Sequence, residues 1–187
     1  RLGTRGSPLA LRQAELVAEA LGKQSPGLEV RFIPIKTSGD KLLDSPLAQA
    51  GGKGLFVKEI EEALLDSRID LAVHSMKDLP AELSPGLRVG AVMRREDPLD
   101  ALIARNGLRF AELPAGARIG TSSLRRQVQL LHHRPDLQIV PLRGNVETRL
   151  KKLETLDLDA VVLAVAGLIR LGLQHRITER LHPELSL

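Results

Sequence analysis

Short apolar segments alternate with amphipathic segments along the whole chain, and this alternation limits the available folds more than any other feature. Patterns typical of strands occupy residues 2–6, 28–35 and 69–73, and apolar residues at helical spacing lie between them. Strands that alternate with helices form mainly parallel sheets covered on both faces. The sequence therefore predicts an α/β fold.

The boundaries of the first elements are marked by individual residues. Ser7 is a favoured N-cap and Pro8 a favoured first helical residue, so a helix begins there and runs until Gly22. Pro34 places the second strand at a sheet edge or close to its own end, because proline has no N–H to donate. Another helix is predicted around Ile60.

The composition changes at the charged stretch 94–98, which follows a predicted strand at 89–93. We place a domain boundary there, which gives domains 1–95 and 96–187. The second half repeats the strand and helix pattern of the first. Its predicted strands are 101–103, 118–119, 137–142 and 159–165, and its helices carry apolar faces at Leu124, Val128 and Leu131, at Val146, Leu150 and Leu153, and along 166–171.

The composition favours a small anionic ligand. The 27 Lys and Arg exceed the 23 Asp and Glu, which gives a formal charge of +4. Three Phe and no Tyr or Trp leave few rings on which bases could stack, so nucleic acid is a weak candidate partner. The chain has no Cys, and its five His lack metal-ligand spacing, so no metal site is predicted.

Nothing in the sequence predicts a membrane partner. Apolar stretches stay below the roughly 18 residues of a membrane span, and the N-terminus lacks the pattern of a signal peptide. We therefore expect a cytoplasmic protein, and no feature suggests more than a monomer.

Polar clusters fall where predicted strands end or helices begin: 4–7, 51–54, 75–78, 121–126 and 143–145. In open α/β sheets, ligands bind beyond the carboxyl ends of the strands, where helix N-termini and backbone amides attract anions. Arginine adds a planar fork that matches a carboxylate. The clusters therefore predict a pocket for a polyanion. Phosphates would fit this pocket too, but neither nucleotide-binding glycine motif has the right spacing, so nucleotide binding is a weak interpretation.

Each cluster also has an ordinary structural interpretation. Ser7 could be only a helix cap, Arg125 and Arg126 could be solvated helix charges, and His74 could be a structural histidine. Asp78 could cap the turn that follows it. Every other charged group in the predicted pocket is basic, however, so a lone carboxylate there would stay ionised and could stabilise a cation or exchange a proton.

Five motifs together resemble the porphobilinogen deaminase family, also called hydroxymethylbilane synthases. They read GTRGSPLAL from residue 3, GGKGLFVKEIEEALL from residue 51, HSMKDLP from residue 74, GTSSLRRQ from residue 120 and LRGNVETRL from residue 142. The similarity covers essentially all 187 residues in the same order. No single motif would be specific, but the combination is.

The resemblance implies a fold and an activity. It implies two domains of the type II periplasmic-binding-protein kind, with mixed, mainly parallel sheets, facing each other across a cleft and joined by hinge strands. The activity is a transferase reaction of tetrapyrrole (haem) biosynthesis, in which four porphobilinogen molecules are condensed to hydroxymethylbilane with release of ammonia. The growing chain is anchored on a dipyrromethane cofactor, which a cysteine of a third domain holds through a thioether.

The resemblance also assigns roles to residues. Asp78 matches the catalytic carboxylate, which would stabilise the cation left when ammonia departs and would shuttle protons. Lys53 matches a basic residue of a mobile loop, in which Gln49 replaces a lysine of some members. Ser75, Ser122 and Gly144 belong to the same polar clusters. The positions that match groups binding the cofactor and substrate carboxylates are Arg5, Ser7, Lys77, Thr121, Ser123, Arg125, Arg126, Arg143 and Arg149.

The chain departs from the family because it has no Cys and resembles only the first two domains. We therefore expect it to carry no covalent cofactor and to be inactive alone. The competing hypothesis is a non-catalytic anion receptor of the periplasmic type, and a nucleic-acid-binding module ranks third. Asp78 separates the first two, because an anion receptor has little use for a carboxylate in its site.

Overall fold

The structure is a computed structural model that describes residues 1–41 and 55–186. The chain divides into two compact units, Arg1–Arg94 and Arg95–Leu187. The predictions for Gln49 and Lys53 lie outside the described residues. Both units contain strands and helices, so the predicted α/β class is confirmed in this general form.

The first unit contains three strands and three helices among its described residues. They are β1 (Leu2–Thr4), α1 (Pro8–Gln24), β2 (Phe32–Pro34), α2 (Ser38–Lys41), α3 (Lys58–Leu65) and β3 (Leu71–Ala72). The helix α1 begins where the sequence predicts, because the Ser7 side chain accepts a hydrogen bond from the Ala10 N–H at 3.3 Å. Pro8 occupies the first helical position, where its missing N–H costs nothing.

The sheet of the first unit has the order β2-β1-β3, with both pairs parallel. Leu2 pairs with Phe32 on one side and Leu71 on the other, so all three strands end at the same edge of the sheet. Pro34 is the last residue of an edge strand, as its missing N–H requires. Ile60 and Ile69 belong to the small core between α3 and the sheet.

The described residues of the second unit, 95–186, contain five strands and three α-helices. They are β4 (Asp100–Ala104), β5 (Arg118–Gly120), α4 (Leu124–His133), β6 (Gln138–Val140), α5 (Val146–Thr155), β7 (Ala160–Ala164), α6 (Val165–Arg170) and β8 (Glu179–Arg180). The sheet order is β6-β5-β7-β4-β8. The pairs β5–β6 and β5–β7 are parallel, whereas β4 runs antiparallel to both β7 and β8, so this sheet is mixed.

The antiparallel strand β4 has a consequence for the position of one acidic residue. Asp100, the first residue of β4, pairs with Ala164, the last residue of β7. The start of β4 therefore lies at the edge of the sheet where β5, β6 and β7 end. This is the edge at which ligands bind in open α/β sheets.

One predicted strand is absent from the structure, and two elements of the structure were not predicted. Residues 89–93 form no strand, and Val89, Val92 and Met93 are exposed. A strand exists only where a neighbour supplies hydrogen bonds, and no strand in the described part of the chain pairs with this segment. Helix α2 and strand β8 lack a strong apolar periodicity and are missing from the sequence predictions.

The buried face of α4 also differs from the prediction. Leu124 and Val128 are 76% and 69% exposed, whereas Arg126 and Leu130 are buried. The helix is rotated because the Arg126 guanidinium pairs with the buried Asp100 carboxylate. The predicted face of α5 is correct, since Leu150 and Leu153 are both buried.

Candidate functional site

The first unit collects candidate residues at the edge where its strands end. Arg5 and Ser7 follow β1, Asp40 follows β2 in α2, and Ser75 and Asp78 follow β3. Because the three strands are parallel, their carboxyl ends share this edge. The topology therefore brings together polar groups that are up to 73 residues apart in sequence.

Arg5 is paired with a carboxylate of the protein itself. Its guanidinium contacts Asp40, with the Nε–H donating to Asp40 Oδ1 at 3.1 Å, and it lies 4.2 Å from the centre of the Phe56 ring. Thr37 donates to Asp40 from its backbone N–H and its hydroxyl, at 3.1 and 2.8 Å. Burial raises the pKa of Asp40, but the bonds from Arg5 and Thr37 outweigh burial and hold that pKa below its ordinary value.

Two serine candidates serve the local structure. Ser7 caps α1, as described above. The Ser75 hydroxyl donates to Gln13 Oε1 at 3.1 Å, which ties the segment after β3 to α1. These contacts hold the backbone segments that follow β1 and β3. Gln13 was not identified as a site residue from the sequence.

Asp78 ends a short 3₁₀-helix, Met76–Asp78, and its backbone N–H donates to Ser75 O at 2.9 Å. Asp78 is partly buried, whereas Lys77 is exposed. His74 lies within electrostatic range of Asp78, Glu61 and Arg5. Burial lowers the pKa of His74 more than the two carboxylates raise it, so the imidazole beside Asp78 is neutral at pH 7.

In the second unit, Asp100 binds two arginines. Arg126 contacts it bidentately, with Nε at 3.0 Å from Oδ2 and Nη2 at 2.6 Å from Oδ1. Arg126 Nη1 also donates to the Val162 carbonyl at 3.0 Å. Arg125 Nη2 and the Ser186 hydroxyl donate to Asp100 Oδ2 at 2.7 and 2.8 Å. Arg126 is therefore an internal ion-pair partner, not a solvated helix charge.

Acid should weaken the second unit through Asp100. Burial raises the Asp100 pKa, but bonds and charge from Arg126, Arg125 and Ser186 bring it below the ordinary 3.8. The folded state therefore binds this proton less tightly than the unfolded state, so the stabilisation is complete above about pH 4 and is lost as the pH falls through the lowered pKa. Between about pH 5 and pH 2, the free energy of unfolding, measured with urea, should fall more steeply in the parent than in Asp100→Asn. An equal pH dependence of the free energy of unfolding in the two proteins would contradict this stabilising role of Asp100.

The loop after β5 is held by its own hydroxyls. Thr121 is buried, and its Oγ1 accepts from the Ser123 N–H at 3.2 Å. Ser122 Oγ donates to the Leu142 carbonyl at 3.0 Å and accepts from the Leu142 N–H at 2.9 Å, which joins the loops that follow β5 and β6. Ser123 caps α4 through a bond from the Arg126 N–H. All three candidates thus have structural roles in this loop.

A cluster of guanidinium groups lies at this edge of the second unit. Burial lowers the pKa of Arg149, and the charges of Arg126 and Arg143 lower it further, so both of these groups lie within electrostatic range of Arg149. Arg149 Nε donates to the Gly144 carbonyl at 2.8 Å, and Lys152 donates to the Arg143 carbonyl at 3.1 Å. Neighbouring positive charges repel one another, and a bound anion relieves this repulsion.

Gly144, in the loop between β6 and α5, should be sensitive to substitution. Its φ is +115°, and a Cβ would lie 2.6 Å from Thr148 Cγ2. Gly144→Ala should therefore lower the free energy of unfolding by about 1 to 3 kcal/mol, measured by urea titration. Gly107→Ala is the matched control, because Gly107 also has a positive φ of +70° but has no atom within 4 Å of the added Cβ. Equal losses in the two variants would show that the Thr148 contact is unimportant.

Asp40 and Asp100 correct one premise of the sequence analysis, that Asp78 is the lone carboxylate among basic groups. Arg5 pairs with Asp40, and Arg125 and Arg126 pair with Asp100. The physical reason is that buried or half-buried guanidinium groups need an opposite charge. Asp100 at the head of the apolar segment 101–104 was a usable signal, because a charge next to a buried strand requires a partner.

The described part of the chain also bears on other kinds of site. None of its helices has the length and apolar character needed to cross a membrane. Within residues 1–41 and 55–186, no group of three His, Asp or Glu side chains is arranged to hold a metal ion.

The chain is similar to proteins of one family over its whole length. The family model described as porphobilinogen deaminase, dipyromethane cofactor binding domain, matches residues 1–187. Curated porphobilinogen deaminases from Syntrophotalea carbinolica, Geotalea uraniireducens and Geobacter metallireducens are 64%, 60% and 61% identical over the whole chain. The chain spans 59%, 58% and 58% of the lengths of these relatives.

Proposed function

The chain belongs to the porphobilinogen deaminase family, and from this premise we propose that it is the part of a hydroxymethylbilane synthase that binds pyrrole carboxylates and carries the catalytic carboxylate. The reaction joins four porphobilinogen molecules stepwise into hydroxymethylbilane and releases ammonia at each step. Porphobilinogen carries an acetate and a propionate, so a site for it needs several cationic groups.

The observation that carries this proposal is the arginine cluster of the second unit. The Arg149 guanidinium lies within electrostatic range of those of Arg126 and Arg143, and burial, followed by these two charges, lowers its pKa. Asp100 supplies one negative charge to this edge and is already bound bidentately by Arg126. The excess of positive charge favours ligand carboxylates, and arginine forks bind them with directional hydrogen bonds.

Asp78 has the role of acid–base group and cation stabiliser in this proposal. It follows β3 at the sheet edge and lies within electrostatic range of His74. The departure of ammonia from porphobilinogen develops positive charge on the pyrrole, and a fixed carboxylate stabilises such charge. The same carboxylate can accept a proton from the pyrrole nitrogen or carbon.

The donors of the second unit also suit a dipyrromethane cofactor, because its acetate and propionate groups are carboxylates. Arg125, Arg143 and Arg149 would hold these groups, with Thr121 and Ser123 as neighbouring polar groups. When bound, the cofactor supplies the anchor on which the growing chain is built. A thioether to it needs a thiol, and the 187 residues contain no Cys.

The proposal extends to architecture. We propose that 1–95 and 96–187 are domains of the type II periplasmic-binding-protein kind that face each other across a cleft, and that the protein is a cytoplasmic monomer without nucleic-acid or membrane partners. Arg5, Ser7, Ser75 and Lys77 would then contribute to the site from the first domain, together with Lys53. The mixed sheet of the second unit is compatible with this proposal.

The function is tested with the complete gene product that contains this chain. Incubation with porphobilinogen should release tetrapyrrole and ammonia in a ratio of one to four. The isolated 187-residue chain should gain no mass that survives denaturation, because it contains no thiol, and intact-mass spectrometry measures this. Binding of porphobilinogen without ammonia release by the complete protein would contradict the enzyme and favour a receptor.

A further inference from the structure

Two arginines of the second unit share one carboxylate. Asp100 is 2% exposed and accepts hydrogen bonds from both Arg125 and Arg126. Arg126 is buried and engages the carboxylate through two nitrogens, which is the strongest geometry for this pair. One negative charge cannot neutralise two guanidinium groups, so the pair leaves an excess of one positive charge.

That excess lies on Arg125. Its side chain is 47% exposed, and it contacts Asp100 through Nη2 alone. Arg126 is the deeper group and depends on Asp100 for compensation, because a buried charge without a partner is costly. Arg125 is therefore the member of the pair that can bind a carboxylate from solution.

The orientation of the Arg125 guanidinium is fixed from two sides. Nη2 donates to Asp100 Oδ2 at 2.7 Å, and Nη1 donates to Gln129 Oε1 at 3.0 Å, one helical turn further along α4. A guanidinium has five N–H donors, and these two contacts use two of them. The plane of the group is thus set before any ligand arrives.

Asp100 is itself held rigidly. It begins β4, whose five residues are all buried and paired with β7. The buried Ser186 hydroxyl donates to Asp100 Oδ2 at 2.8 Å. The carboxylate that orients Arg125 is therefore held in place by contacts that involve neither Arg125 nor a ligand.

We propose that Asp100 is a positioning residue, which holds the Arg125 guanidinium in the orientation that receives a carboxylate of the ligand. The identity of the ligand as a pyrrole carboxylate rests on the proposed function. The positioning itself rests on the contacts of Asp100 with Arg125, Arg126 and Ser186.

The direction in which Asp100→Asn changes the affinity for an anion distinguishes positioning of Arg125 from an effect of charge alone. Asp100→Asn removes a negative charge next to an anion site, so an effect of charge alone would tighten anion binding. Loss of positioning weakens it instead, because the ligand must then order a mobile side chain. Ordering one such side chain costs about 0.5 to 1.5 kcal/mol, which corresponds to a dissociation constant about 2- to 10-fold higher.

The first measurement is calorimetric titration of the chain with a pyrrole that carries one acetate and one propionate but no aminomethyl group, so that no reaction occurs. The expected result is weaker binding by Asp100→Asn than by the parent. Asp157→Asn is the control, since it makes the same charge change in the same unit at a side chain that is 89% exposed. Equal or tighter binding by a folded Asp100→Asn would overturn the proposal.

The second measurement needs no ligand. Rotation about the Arg125 Cζ–Nη bonds can be followed by ¹⁵N NMR, with the signal assigned by its loss in Arg125→Lys. It should be slower in the parent than rotation of Arg176, a surface ion-pair partner of Glu154, and it should become faster in Asp100→Asn. Rotation of Arg125 as fast as that of Arg176 in the parent would overturn the proposal.

Two further outcomes are decisive. If Asp100→Asn does not fold, Ser186→Ala replaces it, because it removes one bond to Asp100 Oδ2 without changing any charge. Faster rotation of Arg125 in Ser186→Ala supports positioning, and unchanged rotation overturns it. If the parent does not bind the pyrrole, the proposed function of this edge fails, and the NMR comparison still decides whether Asp100 positions Arg125.

Discussion

Asp78→Asn in the complete gene product is expected to lower the rate of porphobilinogen turnover by at least about 100-fold, the usual minimum contribution of a positioned acid–base group. The amide keeps the shape of the carboxylate but loses both its negative charge and its capacity to accept a proton. Binding of porphobilinogen should change much less, because the proposed carboxylate-binding groups are untouched. Single-turnover measurement of ammonia release, beside a binding titration, separates the two effects.

Asp66→Asn is the control for this prediction. Asp66 lies in the same unit, at the end of α3, and its side chain is well exposed beside Arg68. This variant makes the same chemical change away from the sheet edge and should keep the parent rate. A rate for Asp78→Asn within about threefold of the parent, a difference of about 0.7 kcal/mol in the barrier, would remove Asp78 from the mechanism.

Arg126→Met is expected to lower the free energy of unfolding by about 3 kcal/mol, the lower end of the range for breaking a buried ion pair. Methionine keeps much of the apolar volume, so the loss comes mainly from leaving Asp100 in a buried position with Arg125 and Ser186 as its remaining partners. Urea unfolding at pH 7 measures the change. The double variant Arg126→Met, Asp100→Asn should recover a large part of it, because the buried carboxylate that has lost its bidentate partner is then replaced by a neutral amide.

Arg176→Met provides the comparison. Arg176 pairs with Glu154 on the surface of the same unit, and exposed pairs of this kind contribute at most about 1 kcal/mol. The Arg126 variant should therefore lose at least three times as much stability as the Arg176 variant. Similar losses would mean that the Asp100 pair contributes no more to the free energy of unfolding than a surface ion pair.

The sequence predicted those elements whose signals are local. Ser7 and Pro8 mark the start of α1 because a cap depends on a few neighbouring residues, and the Leu150–Leu153 spacing predicts the buried face of α5 because that helix packs with its apolar side. The same reasoning fails at α4. There a long-range ion pair decides the rotation of the helix, and Leu124 and Val128 are exposed as a result.

The part of the site that could not be predicted depends on pairs that are distant in sequence. Arg5 and Asp40 are 35 residues apart, and Arg126 and Asp100 are 26 apart. Nothing local indicates that these particular charges meet, because the meeting depends on the strand order and on the antiparallel direction of β4. Motif spacing therefore indicates the basic half of each pair and misses the acidic half.

The direction of β4 also leaves one end of the second unit open to engineering. Because Ala104 pairs with Ala160, the first residue of β7, the turn that follows β4 lies at the opposite end of the sheet from Asp100 and the arginines. Arg105 and Asn106 form that turn, which the Gly107 N–H closes by donating to the Ala104 carbonyl at 3.3 Å, and in the described part of the chain nothing lies within 4 Å of a Cβ added to Gly107. Exposed turns of this kind tolerate inserted residues. A fluorophore or an affinity tag attached at Asn106 would report on this unit, or immobilise it, with the ligand-binding edge still accessible.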